Sequence, residues 1–207
     1  MTIAQSLISF ILAAGLLTIT PGLDTALVLR TAMAEGPASA IKAALGVICG
    51  CLAWGAGVAV GLGVLLTAAP LAYQAVKWAG VSYLFWLGLQ LLRRPRTALT
   101  TQAEAAAPGS ANWFRKGMLQ NLLNPKVGVF YISFLPQFIP AAVSPGYYTF
   151  FLAVIHGTLD VLWFGALILA TQPLARLLQK PASIRLIDRF TGCAFIAFGT
   201  KLALARR

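Results

Sequence analysis

Asp24, Asn121, Asn124, Lys126, His156 and Asp160 are the residues of this 207-residue chain whose types and settings could do chemistry. Each stands in or beside an apolar run. A charge at a bilayer centre costs roughly 2.5–3.5 kcal/mol even on lenient insertion scales, so such residues persist where they pair or line a water-filled path. Asp24 follows a Pro21-Gly22 pair within "LTITPGLDTALVLR". Proline removes a backbone donor, so carbonyls near Leu17 and Thr18 lose their partners. A helix restarting after Gly22 presents free N–H groups with partial positive charge. Freed carbonyls, a helix N-terminus and a carboxylate together can hold both ends of a zwitterion. The plainer reading is that Pro21 only bends the span and Asp24 caps the restarted helix.

A second interruption, "NLLNPK", gathers Asn121, Asn124, Pro125 and Lys126. Lys126 follows Pro125 much as Asp24 follows Pro21, so two breaks brought face to face would set the acid opposite the base. Alternatively, Lys126 lies at a membrane boundary and snorkels. His156 and Asp160 share a helix face at i, i+4. A histidine titrating near neutrality beside a carboxylate can relay protons, or the two can close a local polar spot. Asp24, His156 and Asp160 are thus the proton-relay candidates, and Gln120 and Gln137 read as lining or interface residues.

The elements that must position these groups are membrane spans. The chain is 59% hydrophobic and 10% charged, with a mean hydropathy of +0.81, against about a quarter charged in an average soluble domain. The net charge of +11 falls in short gaps between apolar runs, as juxtamembrane charges do, without the basic patch that nucleic acid would require. Six candidate spans of roughly 20 residues or more appear at about 3–29, 43–67, 71–92, 117–139, 147–171 and 184–204. The first reads as a retained span and not as a cleaved signal, since no Lys or Arg precedes it. In the second, Gly46, Gly50, Ala53, Gly57 and Gly61 form a small-residue stripe for close packing.

A polar linker over 93–116 divides the chain. "VKWAGVSYLFWLG" (76–88) resembles "DRFTGCAFIAFG" (188–199), and Pro21 and Pro125 each interrupt an opening span. The expected fold is therefore an all-α integral membrane protein of six transmembrane helices. It comprises two three-helix repeats, 1–92 and 117–207, the second inverted because each unit has an odd number of spans. Inverted repeats with broken helices are typical of secondary transporters, with the substrate site where the units meet. The Lys/Arg counts place the first, third and fifth gaps in the cytoplasm and both termini outside, with Lys201, Arg206 and Arg207 voting the other way.

No nucleophile with its base, and no metal-ligand cluster, is visible, so neither an enzyme nor a cofactor or metal is expected. Cys49, Cys51 and Cys193 read as small core residues. Export of a metal ion or other small metabolite is the alternative to export of a zwitterion, and a membrane-embedded enzyme is a weaker one. With five acids in all, a basic substrate would find little to pair with, which favours a neutral zwitterion, and among the amino acids of the family resemblance given next, neutral or hydroxylated ones.

At these same residues the chain resembles the LysE/RhtB family of amino-acid exporters. The matching stretches are "TPGLDTALVLRTAMAEGPASAIKAALGV", "VKWAGVSYLFWLGLQLLR", "FRKGMLQNLLNPKVGVFYISFLPQFI" and "IDRFTGCAFIAFGTKLAL". Leu23 departs from the pattern, where the family usually has a second proline. The resemblance implies a six-spanning protein of the bacterial inner membrane, proposed to be a homodimer, that exports amino acids or close derivatives on the ion gradient. It carries Asp24, Asn124 and Lys126 over as substrate-binding positions, beside Asn121, with Pro21, Gly22 and Pro125 as the breaks that shape the site.

Overall fold

A computed structural model describes residues 1–68, 70–95, 112–170 and 180–204. Within them the chain is built of helices and turns, with no strand. Helix α1 (Ile3–Ile19) opens on a capping box in which Thr2 and Gln5 satisfy each other's backbone N–H. It stops at Thr20 because Pro21 cannot donate, and α2 (Leu23–Ala34) resumes at a 50° bend. Gly36, at φ 83°, reverses the chain into α3 (Pro37–Ala68). Then come α4 (Pro70–Arg93), α5 (Trp113–Leu122), α6 (Pro125–Val129), α7 (Pro145–Leu169) and α8 (Pro181–Leu204). Five of these helices begin on proline, whose missing N–H has no helical partner at a first position anyway.

Between α6 and α7 the expected fourth span loses regularity. A π-helical turn, Phe130–Phe134, leads into a 3-10 turn, Leu135–Phe138. Pro136 removes the N–H that would reach the Ile132 carbonyl, so a regular α ladder cannot run through.

Helical segments fall along the six expected stretches in order, those of the first and fourth being broken. Among the described residues, Pro37–Gly61 and Pro145–Leu169 are long and apolar enough to cross a membrane, and the bent α1–α2 pair makes a third if it is one span. The linker expected over 93–116 falls mainly on 96–111, outside the described residues, as do 171–179 in the fifth gap and the terminal Arg206 and Arg207. Lys77, counted at the edge of the second gap, is buried within α4, with its ammonium 5.7 Å from the Trp78 ring centre.

The two sequence halves interleave. Helix α3 packs chiefly on α5 and α7, and α4 packs on α8. Glycine permits the closest approaches. A Cβ on Gly46 would overlap the Phe114 carbonyl, and one on Gly117 would overlap that of Ala43, so α3 and α5 touch backbone to backbone. Gly88 and Gly192 face each other likewise, each blocked by the other's carbonyl oxygen at 2.8 Å.

The small-residue stripe of α3 is thus partly corrected. Gly46 and Gly50 are covered by α5 at Phe114, Met118 and Asn121, whereas Gly57 and Gly61 face open space. The stripe keeps to one side of α3, its four glycines falling within about 60° of one another at 3.6 residues per turn, but α5 is too short to follow it, and Gly55, which meets Ala153 of α7, lies on the opposite side.

Helices α3 and α7 run antiparallel, and so do α4 and α8. Along α3 and α7, Ala59 meets Gly146, Gly55 meets Ala153, and Ile48 with Leu52 meets Gly157. Along α4 and α8, Phe85 meets Gly199 while Leu92 meets Gly192. Aromatic rings fill the centre, with Phe10 and Phe134 each edge-on to Phe138 at 5.4 and 5.0 Å. Large apolar side chains such as Leu12, Val60, Leu71, Leu162 and Phe190 point outward, an arrangement suited to lipid rather than water.

Candidate functional site

The two breaks meet. In an unbroken helix residue 21 would donate to the Leu17 carbonyl, and Pro21 cannot. Lys126 Nζ supplies the missing donor, reaching the carbonyl oxygens of Leu17 and Thr20, each at 3.2 Å. Thr20 closes the end of α1 by bonding the Leu16 carbonyl through its N–H at 3.1 Å and its hydroxyl at 2.6 Å. Gly22 is the N-cap of α2, in extended conformation and without a side-chain cap. A Cβ there would lie 3.0 Å from Lys126 Nζ, so glycine leaves the ammonium its place. The snorkelling alternative for Lys126 does not describe this geometry, because its head group is engaged by backbone carbonyls of the opposite half.

Asp24 stands in the first turn of α2, where the helix dipole favours a carboxylate. It is not the cap. Its Oδ2 accepts from Asn121 Nδ2 at 2.9 Å and from Asn124 Nδ2 at 3.1 Å, both from the second break. Asn124 does two tasks: its Oδ1 caps α6 by accepting from the Lys126 N–H at 3.1 Å, and its amide holds Asp24. Gln120 Nε2 ties α5 to the Leu23 carbonyl at 2.5 Å. Asp24 Oδ1 and Asn121 Oδ1 are buried with no hydrogen-bond partner. Buried polar atoms are nearly always satisfied, so these two stand ready for a donor.

From Asn121 the polar contacts continue inward. Its Nδ2 also lies 3.4 Å from Cys51 Sγ, and that thiol donates to Asp160 Oδ2 at 3.4 Å. Asp160 Oδ1 accepts from the Thr18 hydroxyl at 2.9 Å. His156 Nε2 is 3.8 Å from the same oxygen, and its Nδ1 is 3.0 Å from the Tyr131 hydroxyl. All of these side chains are buried. The His156–Asp160 pair thus occupies a second polar cluster, linked to Asp24 through Asn121 and Cys51.

Beside the breaks lies a cavity of about 270 Å³. One wall is Thr20 to Leu23 with Ala26, a second is Asn124 to Lys126, and α4, Arg94 just past its end and α8 close it with Tyr83, Leu87, Gln90, Leu91 and Phe195. Lys126 and Arg94 give it two cations, while Asp24 lies just behind its wall. Sequence reasoning missed Arg94, Gln90 and Tyr83. The spacing 83, 87, 90, 94 puts them on one helical face, which does not by itself tell a cavity wall from a packed or lipid-facing side. Gln120 and Gln137, expected as lining or interface residues, both lie outside the cavity lining: Gln120 bonds the Leu23 carbonyl and Gln137 belongs to the 3-10 turn.

Helices broken at mid-length, charges gathered at the breaks and an apolar exterior define a membrane protein of the translocator class. Residues 16–206 match the family described as LysE type translocator, and the chain belongs to that family. It is 31% identical over 202 residues, covering 96% of this chain and 97% of the other, to an uncharacterized membrane protein of Vibrio cholerae. It is 28% identical to a leucine efflux protein of Klebsiella pneumoniae, over 95% of this chain and 93% of that one. To a threonine efflux protein of Escherichia coli it is 30% identical, over 90% and 92% of the respective chains. No solved structure matches.

Proposed function

We propose that this protein is a multi-pass secondary transporter of the bacterial inner membrane that exports small neutral or hydroxylated amino acids, or close derivatives, coupled to protons. The single observation that carries the reading is the crossed junction. Lys126 of one half occupies carbonyls freed by Pro21 of the other, and Asn121 and Asn124 hold Asp24 in return. Relatives named for leucine and threonine efflux support a neutral cargo.

Six spans in two inverted repeats are part of the proposal. The antiparallel run of α3 against α7 and of α4 against α8 supports it, since symmetry-related helices inserted in opposite senses must run that way. The broken helices agree, with Lys126 at Leu17 and Thr20 while Gln120 is at Leu23.

In the mechanism, the substrate carboxylate enters the cavity toward Lys126 and Arg94. Its ammonium takes over the carbonyl oxygens that Lys126 releases and reaches the unpartnered Oδ1 of Asp24. A zwitterion carries no net charge, so occupation adds none to the membrane interior. Movement of the α4–α8 pair against the breaks changes the side to which the cavity opens. A proton from the more acidic outside, taken by Asp24, weakens its hold on the ammonium and favours release outward.

The test is efflux from cells or vesicles preloaded with a panel of labelled amino acids, for the wild type, Asp24→Asn and Lys126→Met. Gradient-dependent efflux of neutral amino acids, lost in both variants at normal protein levels, is expected. Undiminished export by both would sink the proposal.

A further inference from the structure

We propose that Cys51, His156 and Asp160 form a buried binding site for a thiophilic divalent cation such as Zn2+, Cd2+ or Co2+. Each residue can offer a ligand atom within 4.8 Å of the other two. Bonds of about 2.0–2.3 Å around a tetrahedral ion set ligands about 3.3–3.8 Å apart, so closing the site takes side-chain adjustments of about 1 Å or less. His156 and Asp160 project from one face of α7 at i, i+4, a spacing by which helices present two ligands to one metal. Cys51 comes from α3, which packs along α7.

A second observation points to a ligand. His156 Nε2 is fully buried and has no hydrogen-bond partner, while Nδ1 is 3.0 Å from the Tyr131 hydroxyl. Tyr131 can therefore hold the tautomer protonated at Nδ1, leaving the Nε2 lone pair aimed into the cluster. This is how metal-binding imidazoles are fixed by an outer partner. Thr18 does the same for the carboxylate, donating to Asp160 Oδ1 at 2.9 Å.

Charge bookkeeping favours occupancy. A divalent ion with one thiolate, one carboxylate and a neutral imidazole sums to zero, the Cys51 proton leaving to solvent as the metal binds. The mix of sulfur, nitrogen and oxygen selects zinc-like ions over calcium or magnesium, which take oxygen ligands. The site holds an ion between α3 and α7, apart from any cargo in the cavity.

The test uses purified full-length protein carrying Cys49→Ala and Cys193→Ala, which leaves Cys51 as its only thiol. Titration with Co2+ is expected to give thiolate-to-cobalt charge-transfer absorption saturating at one ion per chain and bleached by Zn2+. Adding Cys51→Ala should abolish the band, and His156→Gln should weaken Co2+ binding at least tenfold. Absence of the band in the folded single-thiol protein would overturn the proposal, and so would its persistence after Cys51→Ala. Because the single-thiol protein answers alone, the test stands even if Cys51→Ala fails to fold.

Discussion

Lys126 acts as a substitute backbone donor, and that has a measurable consequence in a double-mutant cycle with Pro21. Its ammonium makes two hydrogen bonds at 3.2 Å, to the carbonyls of Leu17 and Thr20. Hydrogen bonds to a charged group contribute about 1.5–3 kcal/mol each, and an orphaned buried acceptor costs about 1–3 kcal/mol. Some solvent at the half-buried lysine brings the expected cost of Lys126→Met to about 2–4 kcal/mol. Pro21→Ala returns an N–H to position 21, within one helical turn of the Leu17 carbonyl. In that background one of the two acceptors no longer depends on the lysine, so Lys126→Met should cost about 1–2 kcal/mol less. The four proteins of the cycle would be compared by reversible unfolding in mixed micelles, where coupling of that size is well above the few tenths expected from independent sites. Equal costs of Lys126→Met in both backgrounds would refute the idea that the lysine stands in for the missing donor.

Three further outcomes are expected. Gly22→Val, which pushes a side chain into the place of Lys126 Nζ, should reduce efflux about as much as Lys126→Met while leaving membrane levels near normal, as immunoblots beside the transport assay would show. Gly117→Leu should prevent stable folding, because its side chain meets the Ala43 backbone, whereas Gly57→Ala, facing open space, should stay within about 1 kcal/mol of wild type; thermal stability in detergent separates the two. Arg94→Gln removes one of two cations from the cavity and should raise the half-saturating substrate concentration several-fold in vesicle efflux, with little change in maximal rate if its role is ground-state binding.

The broken helices and their charges were legible in the sequence because each is a one-residue signal against an apolar background. Pro21 announces an orphaned carbonyl wherever the helix goes, and Asp24 in such surroundings demands a partner. That the partners are Asn121 and Asn124, with Lys126 crossing to the carbonyls, depends on how the halves dock. Arg94 could not be singled out, since a basic residue at the end of a span is ordinary and becomes a cavity wall only when α4 leans over the breaks. Cys51 read as a small core residue for a similar reason: the C-x-C pattern points Cys49 away, and the residues that give Cys51 chemical company, Asn121 and Asp160, come from two other helices far along the chain. The α3 stripe was half right because small residues mark close packing, yet only the partner's course decides which of them it covers.

The interleaving of the halves also governs how the protein can be made. The flank of α3 at Gly46 and Gly50 is covered by α5 and the opposite flank, at Gly55, by α7, and α7 ends at Leu169, about a hundred residues after α3 ends at Ala68. At roughly 5–20 residues per second, synthesis leaves the Gly55 flank without its native cover for on the order of 5–20 s. During this interval the seam of α3 at Gly55 is bare, and for roughly its first half, until Asn121 and Asn124 are made, Asp24 lacks both amides as well. Assembly of the nascent chain thus depends on whatever shields that seam at the insertion site until the second half arrives.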